Sequence, residues 1–350
     1  MIEPLAGITV VDVSRVLAGP FATQYLRDQG ARVIKVEPPA GDETRHWGPP
    51  FYQGESSYFR SCNRGKECQT LDFKDPHQRK KLDQLLQSAD ILVENFLPKA
   101  KKEFGLEFAT LTKRFPKLIV ASIAAFPGDT QGRPGYDFAI QALSGMMATT
   151  GCGEEPTKSA VASTDVFTAL YCANGIQSAL LQRVRTGRGA HVQVSLLHAA
   201  VATQANLIQS YLDSATLPKR MGNAHLQIAP YQLIKTNDSW IVLAIGNDRQ
   251  WQNLAQALPV EVLKHEKFAT NQARLENREE LTQALERVFM EKTTCQWQTF
   301  LGNLNIPNAP IWNYEDLMNS EFAEKLFTTN EWGRHVSCPV QIETGDKEAD

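Results

Sequence analysis

The sequence predicts an α/β protein: a large domain with a mostly parallel sheet, plus a smaller α+β domain. Three observations support this fold class. Apolar strand segments alternate with helical segments as far as residue 212. Most of these strands are continuous apolar runs, which is typical of parallel strands covered by helices on both faces. A polar stretch with glycine and proline at 219–232 then separates a second unit, and 350 residues suit two domains better than one core.

The first elements form a β-α-β unit. An apolar strand is predicted at 8–13, and a second strand follows at 31–37. The helix between them opens with Pro20 in its first turn and closes on Gly30, which are the usual positions of these residues.

The alternation continues along the chain. The remaining elements of the large domain are helices at 75–89, 108–116 and 166–185, strands at 90–96, 117–126 and 190–197, and a last helical run to 212. Asp75 is the expected cap of the first of these helices, and the sequence RTGRG ends the long helix at 166–185.

The second unit begins with a predicted β-hairpin at 231–245 that turns at Asn237–Asp238. Helices follow at 249–258 and 277–292. We therefore place a large domain at 1–215 and a small domain at 222–318.

Composition limits the possible functions. The net charge of -3 argues against nucleic acid or an anionic membrane as the main partner. No window approaches the roughly 18 apolar residues of a membrane span, and the N-terminus lacks a signal-peptide pattern. We expect a soluble, cytoplasmic protein with free thiols. The six cysteines form no C-x-x-C pair, and zinc-protease, serine-hydrolase and Walker motifs are missing, so neither a metal nor a permanently bound cofactor is expected.

Several segments could bind a small anionic ligand. The turn at 14–20 follows the first strand and offers the free N–H groups of a helix start, although it lacks the G-x-G-x-x-G fingerprint of dinucleotide binding. Asn95 and Phe96 follow a strand at the edge where open α/β sheets bind ligands. The loop at 35–50 either folds over a ligand or packs for stability, and Arg45 or His46 either reads a second carboxylate or lies at the surface.

Asp165 is a carboxylate with no cation near it in sequence. Because an unpaired charge is costly to bury, Asp165 either caps a helix at a wet surface or belongs to a site that tolerates it. Asp137 and Tyr136 also leave two interpretations open. Asp137 could cap its own helix and Tyr136 could be a core residue, or both could belong to a site.

Taken in order, these segments resemble the class III CoA-transferases, the formyl-CoA transferase and carnitine-CoA transferase type. The segments that carry the resemblance are GITVVDVSRVLAGPFATQYLRDQGARVIKVEPPAGDETRHWGPP, NRGKECQTLDF, VENFLP, RPGYDFAIQALSG, STDVFTALY, RTGRGAHVQVSLL and APYQLIKTNDSWIVLAIGNDRQW. The stretch GDETRHWGPPF is similar to the branch that moves CoA among dicarboxylic acids.

The resemblance implies an interlocked homodimer that acts on acyl-CoA and a free carboxylic acid. It also implies that the large domain is Rossmann-like and that residues 320–350 rejoin it. It implies that Asp165 is the catalytic aspartate. The positions that it implies for CoA binding are Val16, Ala18, Leu71, Lys74, Asn95, Phe96 and Tyr136. Two positions depart from the family pattern, because Pro38 follows the glutamate of KVE and the residues near 101–103 are Lys-Lys-Glu. The C-terminal return to the large domain also looks shorter than in the family.

These residues lead to a mechanistic hypothesis. An aspartate with a reference pKa near 3.9 is ionised at pH 7, so Asp165 can attack a thioester without a general base. The attack would give an aspartyl–acyl anhydride and then an aspartyl-CoA thioester. The turn at Gly246 is the candidate oxyanion donor.

Three alternatives compete with this hypothesis. An α-methylacyl-CoA racemase would need a second proton carrier where this chain has Tyr136, and a tyrosine with pKa near 10 is a poor one. A non-catalytic CoA-binding remnant would explain the departures and the shorter C-terminus. A dehydrogenase is disfavoured because the glycine fingerprint is missing.

Overall fold

The chain folds into two compact units, as a computed structural model of residues 2–343 shows. The first unit comprises the residues up to Met146, Lys158–Asp213 and the chain from Glu324 onward; the second comprises Met147–Thr157 and Ser214–Ala323. Met147–Thr157 thus groups with the second unit, whereas the sequence analysis placed it in the large domain. The expectation of a shortened C-terminal return concerns the chain beyond Glu343, outside the described residues.

The first unit is built on a six-stranded parallel sheet, which confirms the predicted α/β class. Its strands are β1 (Thr9–Asp12), β2 (Arg32–Glu37), β3 (Glu67–Thr70), β4 (Ile91–Glu94), β5 (Ile119–Ala124) and β6 (His191–Ser195). Their order is β3-β2-β1-β4-β5-β6, the order of a doubly wound dinucleotide-binding fold. Val10 on β1 pairs with Val33 on one side and with Ile91 on the other. The strand order therefore reverses direction between β1 and β4.

Helices cover both faces of this sheet. The helices of this unit are Ala18–Arg27, Ser57–Asn63, Pro76–Ser88, Pro98–Glu103, Phe108–Arg114, Asp137–Leu143, Ser163–Thr186, Leu196–Thr203, Ala205–Ser214 and Ala323–Leu326, with a 3-10 turn at Glu43–His46. The short helix Met146–Thr149 lies at the boundary with the second unit. Ala18–Arg27 and Ser163–Thr186 pack on one face around Val10, Ile91 and Ile119. Pro76–Ser88 packs on the other face through Leu82 and Leu86.

Local sequence signals explain where two of these helices begin or end. Asp75 caps Pro76–Ser88 as predicted, since its side chain accepts a hydrogen bond from the backbone N–H of His77. The long helix Ser163–Thr186 begins three residues earlier than predicted. It ends at Gly187, whose φ of 69° is the left-handed conformation that glycine adopts without a steric penalty.

Strand β3 was not predicted, because its four residues Glu67–Thr70 are polar or small and all are exposed. It lies at the edge of the sheet and pairs only with β2. A bidentate ion pair joins the two strands: Nε and Nη2 of Arg32 donate to Glu67 over 2.8 and 2.7 Å. An edge strand buries little surface, so its sequence carries no apolar signal.

The second unit is a small α+β fold. Its antiparallel sheet is formed by β7 (Tyr231–Lys235), β8 (Trp240–Ala244) and β9 (Asn308–Pro310), in the order β9-β8-β7. Its main helices are Asp248–Ala257, Asn271–Glu276, Arg278–Phe289, Thr294–Asn303 and Tyr314–Met318, with 3-10 turns at Glu261–Lys264 and Glu266–Phe268. The predicted hairpin is confirmed, but β9 was missed because it is short and contains Pro310.

Two hairpins complete the first unit. Short strands at Phe51–Tyr52 and Glu55–Ser56 pair in the loop after β2, and β10 (Phe327–Asn330) pairs with β11 (Gly333–Val336). Arg60 Nη2 donates to the carbonyl of Trp332 over 2.5 Å, which ties the second hairpin to helix Ser57–Asn63. Among the helices of residues 2–343, none has the length and apolarity needed to cross a bilayer.

Candidate active site

A cleft of about 440 Å³ opens at the carboxyl edge of the parallel sheet. It lies beside the ends of β1 and β4, where the strand order reverses and where ligands of such folds bind. The predicted site residues that line it are Val16, Ala18, Asn95, Phe96, Tyr136 and Asp165. The topology therefore brings predicted residues from four separate segments into one cleft.

The turn after β1 is held by hydrogen bonds to its backbone. The side chain of Asn95 accepts from the N–H of Arg15 over 3.0 Å and donates to the carbonyl of Arg15 over 2.9 Å. The N–H of Ser14 donates to Asp12. No side chain caps helix Ala18–Arg27, and the N–H of Phe21 donates to the carbonyl of Leu17, so the N–H groups of Ala18 and Gly19 remain for a ligand.

Gly19 is required for this turn to close against its helix. A Cβ atom at position 19 would lie 2.1 Å from the Oγ of Ser14, a distance that no side chain tolerates. The sequence LAGP thus contains glycine because Ser14 folds back over the first turn of the helix.

Beneath the turn lie two fully buried ion pairs. Lys66 Nζ contacts Asp12 Oδ2 at 3.0 Å, and Lys35 Nζ contacts Asp42 Oδ2 at 3.0 Å. Burial opposes the ionisation of Asp12, but the two ammonium groups outweigh it and hold the pKa of Asp12 at about 2. A buried network of charges that compensate one another therefore lies beneath the turn.

Asp165 lies in the first turn of helix Ser163–Thr186, half-buried in the cleft wall, but it does not cap that helix. The cap comes from another helix, because Asp137 Oδ1 accepts from the N–H and the hydroxyl of Thr164 over 2.9 and 2.8 Å. The sequence left open whether Asp137 caps its own helix or belongs to a site, and the structure shows it capping the helix of Asp165. Within residues 2–343, no side chain or backbone group donates to Asp165, so its carboxylate remains available to a ligand.

The electrostatic setting of Asp165 differs from the expectation that it is fully ionised at pH 7. Burial and the negative charge of Asp137 raise its pKa to about 7. Burial and the charge of Asp165 in turn raise the pKa of Tyr58, whose ring contacts Trp47 edge-on at 5.1 Å. Tyr58, at the start of helix Ser57–Asn63, therefore lies close enough to Asp165 for the two groups to interact electrostatically.

A pH profile tests this setting. If Asp165 is the nucleophile, as the mechanistic hypothesis has it, kcat/KM should fall about tenfold per pH unit below a midpoint near pH 7, because only the ionised carboxylate is nucleophilic. Asp137→Asn keeps an acceptor for Thr164 but removes the charge, so the midpoint should move to lower pH. Steady-state rates measured from pH 5 to 9 on both proteins would show the shift, and an unmoved midpoint would contradict the coupling of Asp137 to Asp165.

Of the other three predicted CoA-binding residues, one lines the cleft and two do not. Tyr136 is 61% exposed at the start of Asp137–Leu143, so it is not a core residue. Leu71 is buried in the sheet core and Lys74 is exposed in the loop after β3, and neither lines the cleft. Phe73, between them, contacts Phe96 edge-on at 6.1 Å.

Comparison with known proteins identifies the family. The profile of CoA-transferase family III matches residues 5–341. The chain belongs to the class III CoA-transferases. It is 39% identical over 322 residues to the succinyl-CoA:glutarate CoA-transferase of Mus musculus, covering 91% of this chain and 74% of that protein. It is 38% identical over 325 residues to the succinate–glutarate CoA-transferase of Agrobacterium fabrum, covering 90% and 81%.

A solved structure agrees with this assignment. The crystal structure of a CAIB/BAIF family protein from Brucella suis superposes with a TM-score of 0.87 at 39% identity, covering 100% of this chain and 94% of that one. As a class III CoA-transferase, the protein uses CoA thioesters as substrates.

Sequence analysis of this CoA-transferase did not assign the cations of the cleft. Arg15, Lys101 and Arg133 line it. Lys101 Nζ contacts Glu94 Oε1 at 2.6 Å, and the Arg133 guanidinium lies over the ring of Phe126 at 4.3 Å. These side chains were not assigned to the site because charged residues are usually solvated surface.

Arg45 and His46 were the two candidates to bind a second carboxylate of the ligand, and the structure shows Arg45 in ion pairs within the protein instead. Its guanidinium binds Glu37 through two contacts of 2.7 Å and Glu55 through one of 2.9 Å, and it lies 3.7 Å from the ring of Phe59. The donors of Arg45 thus stabilise the loop after β2. His46 is exposed.

Gly246 lies in the second unit, in the exposed turn after β8. Its N–H donates to Gln250 Oε1 over 2.8 Å. An oxyanion at this amide would have to displace that side chain. The six cysteines are free, and residues 2–343 contain no cluster of three or more His, Cys, Asp or Glu side chains arranged for a metal.

Proposed function

We propose that this CoA-transferase moves CoA from an acyl-CoA thioester to a free dicarboxylic acid through covalent intermediates on Asp165. The observation that carries the proposal is the state of the Asp165 carboxylate. It lies unpaired in the cleft wall, while Asp137 takes over the capping of its helix. A carboxylate whose structural role is filled by a neighbour is free to react.

The transfer of CoA takes four steps. Asp165 attacks the thioester carbonyl, which forms an aspartyl–acyl anhydride and releases the CoA thiolate. The thiolate attacks the Asp165 carbonyl and releases the donor acid, leaving an aspartyl-CoA thioester. The acceptor carboxylate attacks that thioester, which forms a second anhydride and frees the thiolate again. The thiolate then attacks the acceptor acyl carbon, giving the new CoA ester and restoring Asp165.

The pKa of Asp165 suits this cycle. A pKa near 7 leaves about half of the carboxylate ionised at neutral pH, so no separate base is needed. A carboxylate that is poorly solvated before reaction also loses less hydration when it attacks. Burial that costs stability in the free protein thus favours nucleophilic attack.

Two features support a dicarboxylate as the acceptor. The mouse and Agrobacterium relatives are named for succinyl-CoA or succinate and glutarate. The cleft also presents the side chains of Arg15, Lys101 and Arg133, whose pairs with Glu43, Glu94 and Asp129 leave donors free for an anion. Part of this charge is expected to face the CoA phosphates and part the second carboxylate of the acid.

Apolar exposure supports the homodimer that the family resemblance implies. Helix Ser163–Thr186 leaves a series of large apolar side chains exposed along its length: Phe167, Leu170, Tyr171, Leu181 and Val184. A stripe of this kind on a helix that carries the nucleophile is typical of a surface covered by another subunit. The oxyanion role of Gly246 and the CoA contacts of Leu71 and Lys74 belong to the same proposal.

A matched pair of acceptor acids tests the function. Exchange of CoA from succinyl-CoA should proceed with glutarate, whereas pentanoate, which has the same chain length and one carboxylate, should react with a kcat/KM lower by about 100-fold or more. Deuterium uptake at the α-carbon of a 2-methylacyl-CoA, the reaction of a racemase, is not expected. Equal rates with both acids would contradict the dicarboxylate assignment, and no exchange with any acid would contradict CoA transfer.

A further inference from the structure

Val16 has the most unusual backbone in the cleft. Its φ of 71° lies in the left-handed region, which a β-branched residue rarely adopts. Such a conformation persists only where the surrounding structure imposes it. Val16 belongs to the turn that lines the proposed acyl-CoA cleft, so the contacts that hold its left-handed conformation also shape that cleft.

One buried ion pair contacts the backbone on both sides of Arg15. The N–H of Val16 donates to Asp42 Oδ2 over 3.3 Å, and the same oxygen lies 3.0 Å from Lys35 Nζ. Lys35 Nζ also donates to the carbonyl of Ser14 over 2.9 Å. Both charged side chains are completely buried, so water cannot replace either contact.

Asp42 is itself fixed by its neighbours. Its second oxygen accepts from the N–H and hydroxyl of Thr44 over 3.0 and 2.8 Å, and its own N–H donates to Glu37 over 2.8 Å. Arg45 in turn binds Glu37 with two contacts of 2.7 Å. The motif GDETR thus forms a rigid support whose remaining carboxylate oxygen, on Asp42, faces Val16.

We propose that Asp42, paired with Lys35, is a positioning residue that holds Ser14–Val16 in the strained shape needed to bind acyl-CoA. This inference rests on the proposed function, because it takes the turn as part of the CoA site. The loop after β2 then supports the turn. From the sequence alone, this loop could either fold over a ligand or pack for stability.

Asp42→Asn tests the proposal. Thr44 presents two donors, so the new amide must keep its oxygen there and turn its NH2 group toward the N–H of Val16. Since two donors then face each other, the turn should lose its left-handed shape. We expect the Kd for CoA, measured by calorimetry, to rise about tenfold. The KM for succinyl-CoA should rise in parallel, while kcat stays within about threefold.

Rescue separates positioning from general destabilisation. Glycine adopts the left-handed region freely, so in a Val16→Gly background Asp42→Asn should change the Kd by less than about twofold. Asp28→Asn is the control, since it breaks an ion pair with Arg64 that is mostly buried and does not contact the turn. It should lower the Tm without changing the Kd. If Asp42→Asn fails to fold, the double variant Lys35→Met/Asp42→Asn removes the unpaired buried ammonium and should show the same rise in Kd.

The outcomes distinguish the two levels of the proposal. The positioning role alone would be overturned if wild-type protein binds CoA but Asp42→Asn weakens binding equally with and without Val16→Gly, or weakens it in neither background. Wild-type protein that does not bind CoA at all would overturn the proposed function and the positioning role with it.

Discussion

Asp165→Asn should abolish CoA transfer, with a loss in kcat of at least about 10⁴-fold at pH 8. The amide is nearly the same size as the carboxylate, so the cleft should keep its shape and bind CoA with a Kd close to that of the wild type. What is lost is the only group proposed to form a covalent bond with the acyl carbon. The measurement is the rate of CoA exchange between succinyl-CoA and glutarate.

The control for this loss is the neighbouring carboxylate. Asp137→Asn keeps the cap on Thr164 and should retain turnover above pH 7, although its pH profile shifts. A similar loss of kcat in both variants would indicate that the helix start, rather than the nucleophile, had been damaged. Activity that persists in Asp165→Asn would rule out Asp165 as the nucleophile.

Asp165→Asn should also stabilise the folded protein at alkaline pH. The pKa of Asp165 is raised from 3.8 to about 7 on folding, so ionisation costs free energy in the folded state but not in the unfolded one. The cost is zero below pH 3.8, grows between pH 3.8 and 7, and is constant above pH 7. At its maximum it is up to about 4 kcal/mol. The amide of the Asp165→Asn variant does not ionise, so that variant escapes this cost.

Unfolding in urea at several pH values measures the effect. The free energy of unfolding of Asp165→Asn should exceed that of the wild type by up to about 4 kcal/mol at pH 8, and the difference should disappear near pH 3.5. A difference of the same size at both pH values would mean that packing, and not the buried charge, separates the two proteins. The Asp165 carboxylate thus lowers stability in the pH range in which it is ionised.

Much of the fold could be predicted from the sequence because buried parallel strands have a strong apolar signal. The strands that carry the turn at Val16 and the pair Asn95–Phe96 are of this kind, and their place in the β-α-β order puts both segments at one edge of the sheet. Strand β3 escaped prediction because it is a polar edge strand. Met147–Thr157 was misplaced because its grouping depends on tertiary contacts.

The site was predictable in part, for a related reason. Asp165 was identified from an unpaired charge and from its family motif, both of which are local in sequence. The raised pKa of Asp165 could not be predicted in this way. It depends on the burial of Asp165 in the folded chain and on the charge of Asp137, which belongs to a helix apart from it in sequence. The support of Val16 by Asp42 is equally non-local, although a lysine in the middle of the apolar strand β2 was a signal of a buried ion pair.

Trapping of the covalent intermediate tests the central claim most directly. Wild-type protein mixed with succinyl-CoA and no acceptor acid, then treated with borohydride and digested, should yield a peptide in which Asp165 has been reduced to the alcohol, because the aspartyl-CoA thioester is reducible and a free carboxylate is not. Asp165→Asn should give no such peptide. Transfer at the full rate with an unmodified Asp165, or modification at a different residue, would contradict the account.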